Sequence, residues 1–254
     1  MRIAVISDIH GNLPALKAVL DDIDLFHADA IYCLGDLTDG APWNNEVVEL
    51  IRSRAIPTLM GNHDERIAFD HPVFSLSKHS KVEQEARLNT INHTKSTLSI
   101  ANKEFLAGLP ATIRLSFGTV SILLVHGSAE SNEEYIYEQH DEAALTKMLD
   151  DQGADLMVSG HTHLSFIRYL PGDGVFKNKL VINAGSVGRS KETDRKACYL
   201  QLNIPDLLEG SGLEAVIPVI RKVSYPIGET IEGIRNSDVP DFYADFLEQQ
   251  EQKV

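Results

Sequence analysis

The sequence predicts an α/β fold. Two observations carry that assignment: short β-branched apolar runs recur along the chain, each closing on a glycine or small residue, and helix-spaced apolar positions lie between them. The clearest runs are RIAVISDIHGN, AIYCLGDLTDG, IPTLMGNHD, SILLVHGS, ADLMVSGHTH and LVINAGSVG. Strands alternating with helices imply sheets covered on a face by helices.

In chain order, RIAVIS is the first strand, and Leu13, Leu16, Val19, Leu20 and Ile23 follow at helix spacing, with Asn12 as N-cap and Pro14 in the first turn. Because RIAVIS runs directly into Asp8 and His10, no cleavable leader is expected there. Residues 66–110 break the pattern, being polar and helical where any period shows, and read as a helical insertion that either caps the site or runs over the surface. Glu130 to His140 carries the same two readings. After Val187 come strand-like KACYLQLNI and EAVIPVIRKVSY, then two amphipathic pieces ending in DFYADFLEQQ. A chain of 254 residues is within the reach of one core, so a single domain over 1–254 is expected.

Hydrophobic content of 43% with 24% charged residues is globular, and no apolar run is long enough to span a bilayer, so a soluble protein without a membrane partner is expected. Cys33 and Cys198 sit in apolar strand-like segments, as reduced buried thiols do, which points to the cytoplasm. The net charge of -14 disfavours nucleic acid as a partner and, spread along the chain, reads as a solubility feature.

The polar residues at the strand ends carry the chemistry, because ligands of α/β sheets collect outside the carboxyl ends of strands. Asp8 and His10 are two apart, as are His161 and His163, so on extended backbone each pair points to one side and can chelate. Asp36 follows Gly35, Asn62 and His63 follow Gly61, and His126 precedes Gly127. Any one of these alone is a packing or turn residue; their joint placement at strand ends is the signal. The other five of the ten histidines lie outside these motifs and read as surface or packing residues, with only His71 and His140 placed to overhang the site.

This motif series resembles that of the calcineurin-like metallophosphoesterases: DxH, GD, GNH followed by an acid, HG and GHxH. Here it reads Asp8-Ile9-His10, Gly35-Asp36, Gly61-Asn62-His63-Asp64, His126-Gly127 and Gly160-His161-Thr162-His163, all in order. The SDIHGN opening and short length are similar to small prokaryotic members. The resemblance implies a four-layer αββα sandwich of two mixed sheets flanked by helices. It implies two divalent ions, one held by Asp8, His10, Asp36 and His163, the other by Asp36, Asn62, His126 and His161, with Asp36 as bridge. Mixed imidazole and oxygen donors suit Mn, Fe, Co, Ni or Zn better than Mg or Ca. It further implies His63 as general acid, oriented by Asp39 at the family's partner position; Asp64 is the nearer carboxylate in sequence and is equally well a turn or cap acid. Asn12, Asn183, Ser186 and Arg189 are candidate substrate contacts, against plain readings as a helix cap, a tight turn and a solvated arginine.

The sequence departs from relatives in places. Gly40 follows Asp39 where the protein-phosphatase branch has an arginine, and Ala129 and Ala184 stand where many small relatives have proline. The expected activity is hydrolysis of a small phosphorylated substrate, a phosphodiester, by a hydroxide bridging the ions. A monoester phosphatase is the alternative. A non-catalytic scaffold of the same fold is disfavoured by retention of His63 and every ligand. A homo-oligomer is left open.

Overall fold

The computed structural model describes residues 1–74, 80–172, 178–205 and 212–251; residues 75–79 of the expected insertion lie outside them. The elements are β1 (Arg2–Ile6), α1 (Leu13–Phe26), β2 (Ala30–Cys33), α2 (Asn44–Ser53), α3 (Asn62–Ala68), α4 (Lys81–Thr97), α5 (Ile100–Ala107), β3 (Ile113–Phe117), β4 (Val120–Leu124), α6 (Glu142–Asp151), β5 (Leu156–Ser159), β6 (Phe166–Leu170), β7 (Lys179–Asn183), β8 (Ala197–Asn203), β9 (Ile217–Val223), α7 (Ile227–Arg235) and α8 (Phe242–Glu251). One sheet has the order β2-β1-β8-β9, with β1 parallel to β2 and antiparallel to β8. The other runs β3-β4-β5-β7-β6, its three central strands parallel and both edges antiparallel.

The two-residue period of the strands sets the layer order. Ile3 and Val5 of β1 and Leu200 and Leu202 of β8 pack across the sandwich against Ile122, Leu124, Leu156, Val158, Leu180 and Ile182. Ala4 and Ile6 point the other way, into Leu16, Val19, Leu20 and Ile23 of α1 and Val47, Val48 and Ile51 of α2. On the far side, Leu123, Met157 and Val181 meet Leu145, Met148 and Leu149 of α6. The result is helices, sheet, sheet, helix. Strands buried on both faces need no polar alternation, which is why they read as continuous apolar runs.

α1 begins as its sequence predicts, with Asn12 Oδ1 accepting from the Ala15 amide at 3.1 Å. Within the 66–110 interval, α4 and α5 are each capped by a serine, Ser80 and Ser99, and send Ile91 and Leu106 into the core beside α1 and α2. The segment IPTLM corrects a strand expectation: it makes only an isolated parallel bridge, Thr58 to Cys33, before turning into α3. The edge strands β3 and β6 were not anticipated. IRLSF of β3 alternates half-buried and exposed residues, the pattern of a strand covered on one face.

Ile182 is fully buried between the sheets, so Ile182→Ala is expected to cost about 2–5 kcal/mol in chemical denaturation. Unchanged stability would contradict this inter-sheet packing.

Candidate metal centre

The carboxyl ends of β1, β2, β4, β5 and β7 all deliver motif residues to one seam between the sheets. Backbone bonds fasten the turns to one another: Asp8 N–H donates to Gly35 O at 3.0 Å, His10 N–H to Asp36 O at 3.0 Å and Gly160 N–H to His126 O at 2.8 Å. Asp8, His10, Asp36, Asp39, His161 and His163 all have left-handed backbone, with φ between 51° and 71°, so the two chelating pairs stand on turns past the strand ends and not on the extended backbone expected for them. Asp and His tolerate that region better than most residues, and such strain gathers at functional sites. Gly160 is needed for close approach, since a Cβ there would overlap Ser7 Oγ and Asp8 Oδ2.

Two groups of side chains could hold a cation: Asp8, His10 and His163, and Asp36, His126 and His161, the ligand atoms of each lying within 4.8 Å of one another. Asp8 Oδ1 is 3.1 Å from His163 Nε2, which is 3.1 Å from His10 Nε2. Asp36 Oδ2 is 3.7 Å from His10 Nε2 and 3.4 Å from His126 Nε2, so it lies between the groups. Asn62 Oδ1 joins the second group, 3.1 Å from His126 Nε2.

Hydrogen bonding around these atoms tests whether the residues suit a metal. The Nδ1–H of His10, His126 and His163 donates to the carbonyl of Asp39, Leu34 and Arg189 at 2.7, 2.8 and 2.8 Å, which turns each Nε2 lone pair inward. Asp8 Oδ2 accepts from Ser7 Oγ and His161 N–H, and Asp36 Oδ1 from His63 N–H. Their other oxygens, Asp8 Oδ1 and Asp36 Oδ2, and His161 Nε2 are buried with no hydrogen-bond partner. Unpaired acceptors of this kind, converging at ligand spacing, fit divalent cations.

The titration behaviour agrees. Burial, reinforced by neighbouring imidazoles, holds His10 and His161 down to about 3, in the neutral form a metal requires. Burial would raise the Asp8 and Asp36 carboxyls, but adjacent histidines, His163 and His126 foremost, outweigh it and keep both below the usual range. His126 goes the other way, to about 9: burial lowers it, and the Asp36 charge prevails. Its proton answers the Asp36 charge that a divalent ion would otherwise neutralise.

His63 sits beside the first group, its ring edge-on to His10 at 5.0 Å. Its Nδ1–H donates to Asp39 Oδ2. Asp64 is placed elsewhere: it accepts from the amides of Leu37 at 2.9 Å and Gly61 at 3.2 Å as a cap of α3, and it is not the partner of His63. Three candidate substrate contacts have their side chains turned into the fold. Asn12 caps α1 and donates to Gly188 O, Asn183 Nδ2 donates to Gly160 O at 2.6 Å, and Ser186 Oγ donates to Asp8 O at 2.8 Å. Arg189 keeps a buried Nε without a hydrogen-bond partner, and its guanidinium stacks on Tyr243 of α8 at 4.7 Å.

Two contributors escaped the sequence reading. Ser7 supports Asp8 within its own motif, and Tyr135 stacks on His161 at 4.1 Å. Tyr135 lies in the 130–140 stretch whose position after the HGS motif was the available signal. His71 belongs to neither group, its ring lying against Phe69 at 5.8 Å.

The calcineurin-like phosphoesterase family model matches residues 1–165. An uncharacterised protein of Methanocaldococcus jannaschii is 30% identical, the match covering 96% of each chain. Among solved structures, a metallophosphoesterase from Sphaerobacter thermophilus is 28% identical with a TM-score of 0.74, over 98% of this chain and 99% of that one. A hypothetical protein from Pyrococcus horikoshii shares the fold at a TM-score of 0.79 and 19% identity, over 97% of both chains.

Manganese or zinc at ~100 times its dissociation constant is expected to stabilise the protein by about 2.7 kcal/mol, read as a raised melting temperature that chelator reverses. Elemental analysis of His126→Ala should show less metal per chain than wild type. A melting temperature indifferent to metal and chelator would refute the site.

Proposed function

We propose, from the premise that this chain belongs to the calcineurin-like phosphoesterase family, that it hydrolyses phosphodiesters using two divalent transition-metal ions with His63 as general acid. Metal-dependent phosphoester hydrolysis is the chemistry of that family. The observation that carries the finer reading is the pair of buried Asp39 and partly exposed His63 set beside two groups of candidate metal ligands with Asp36 between them.

Ions held by Asp8, His10, Asp36 and His163 and by Asp36, Asn62, His126 and His161 would supply Lewis-acid polarisation of the phosphoryl group and activate the attacking water. Manganese, iron, cobalt, nickel and zinc all match the donor set. The chain's own groups do the rest. Asp39 is buried, which favours its neutral form, but His63, His10 and Arg189 outweigh burial and keep it ionised. The carboxylate holds the His63 ring by Nδ1, so that Nε2 would face the leaving oxygen. As water adds to phosphorus on the opposite side, the bond to that oxygen breaks and His63 gives it the proton. Arg189, with its unpaired Nε, is the candidate contact to a phosphate oxygen.

Gly40 beside Asp39 leaves no arginine there to neutralise the extra charge of a monoester, which favours the diester. A small phosphorylated substrate accords with the charge of -14, which works against a nucleic-acid partner. A reducing compartment such as the cytoplasm accords with Cys33 and Cys198 as buried free thiols. No helix among the described residues is long and apolar enough to cross a membrane.

With manganese, bis-p-nitrophenyl phosphate should be hydrolysed faster than p-nitrophenyl phosphate, and chelator should abolish both. Faster monoester turnover would reassign the enzyme as a phosphatase, and no turnover with metal bound would favour a scaffold. His63→Ala should retain its metal but lose about a hundredfold or more in turnover; near-normal turnover would remove His63 from the acid role.

A further inference from the structure

Two arginines, Arg66 and Arg87, play no part in the chemistry described so far. Arg66 lies three residues after His63 on α3, close to one helical turn, so the two share a face. Its side chain is 7% exposed. Nη2 donates to Glu133 Oε1 at 3.0 Å, whereas Nη1 is buried and has no hydrogen-bond partner. Arg87 approaches from α4, half-buried, with Nη1 donating to Phe74 O at 2.9 Å. Its charged and ionisable neighbours are Arg66, Asp39, Tyr243 and Glu133; burial first, and then the Arg66 charge, depress its pKa.

Arg66 and Arg87 stand on helices that pack together, α3 and α4, and the charge of Arg66 acts on Arg87, with Asp39 and Glu133 as the acidic neighbours. Glu133 is 65% exposed at its side chain, and Arg87 forms no ion pair with any described residue. An unpaired, nine-tenths-buried guanidinium N–H beside a second cation is an arrangement completed by a planar or tetrahedral oxyanion. Its position, one turn beyond the group that protonates the leaving oxygen, fixes which half of a substrate it would meet.

We propose that Arg66 and Arg87 form an anion subsite that binds a second phosphate group carried by the alcohol half of the substrate. The substrate class is therefore a phosphoester whose leaving group is itself phosphorylated, in the manner of a nucleotide or a sugar phosphate. This rests on the hydrolase reading above and narrows it.

The test is calorimetric binding to the full chain of adenosine 3′,5′-bisphosphate against adenosine 5′-monophosphate, and of fructose 1,6-bisphosphate against fructose 6-phosphate. Wild type should bind at least one bisphosphate about tenfold or more tighter than its monophosphate, and Arg66→Met and Arg87→Met should each reduce that ratio to about twofold or less. The ratio within one protein is insensitive to partial unfolding, and Arg87, being half-buried, is the milder replacement. Equal affinities in wild type for both pairs, or a ratio retained in both variants, would overturn the subsite. Diester turnover with equal affinities would remove the subsite and leave the hydrolase reading intact; the expected ratios without turnover of any ester would do the reverse.

Discussion

The structure turns on two buried carboxylates, Asp8 and Asp36, each with one oxygen satisfied by the fold and one left open to inward-facing imidazoles. Burying an ionised carboxylate costs several kcal/mol unless neighbouring groups compensate. Here the compensation comes from both sheets at once, because Asp8 and Asp36 follow β1 and β2 while His126, His161 and His163 follow β4 and β5. Neither sheet alone holds either group of candidate ligands. The sandwich is thus a device for bringing two rows of strand ends face to face, and its inter-sheet core keeps them in register.

Much of this was legible in the sequence because the signals were local. A strand buried on both faces announces itself as an apolar run, and an Asp or His just past its end, next to glycine, marks a turn at the carboxyl edge. The edge strands β3 and β6 were harder, since their weaker patterns are settled by which neighbour they pair with. Asp39 and Asp64 show the limit most clearly. Asp64 is adjacent to His63 in sequence, yet the helical turn it begins directs its carboxylate back to the Gly61 and Leu37 amides. Asp39 arrives from a separate turn to meet the ring, which spacing alone does not reveal. Asn183 and Ser186 follow the same logic: their side chains bond the carbonyls of Gly160 and Asp8 in neighbouring turns, partners that spacing does not reveal.

The surroundings of the seam come from less regular parts of the chain. The loop after β4 lays Tyr135 on His161, α3 and α4 bring Arg66 and Arg87, and α8 lays Tyr243 against Arg189. Arg87 and Tyr243 lie on helices, α4 and α8, that carry none of the motif residues, whereas Arg66 and Tyr135 follow motif residues on the same helix or loop. Selectivity among phosphoesters would then be set by walls built on an unchanged floor.

Asp39 belongs to both halves of the machinery. Its carbonyl accepts from Nδ1 of His10, its carboxylate holds His63, and its own amide is fixed by Asn44 Oδ1 at 2.9 Å. One residue therefore acts as a gauge block, setting the separation between His10 and His63 by covalent geometry. A length change in the short turn from Asp36 to Asp39 would spoil both settings together, whereas the 66–110 interval can lengthen or shorten without touching that dimension. Over generations, such a chain would be free to remodel what it recognises while the spacing of its chemistry stays fixed.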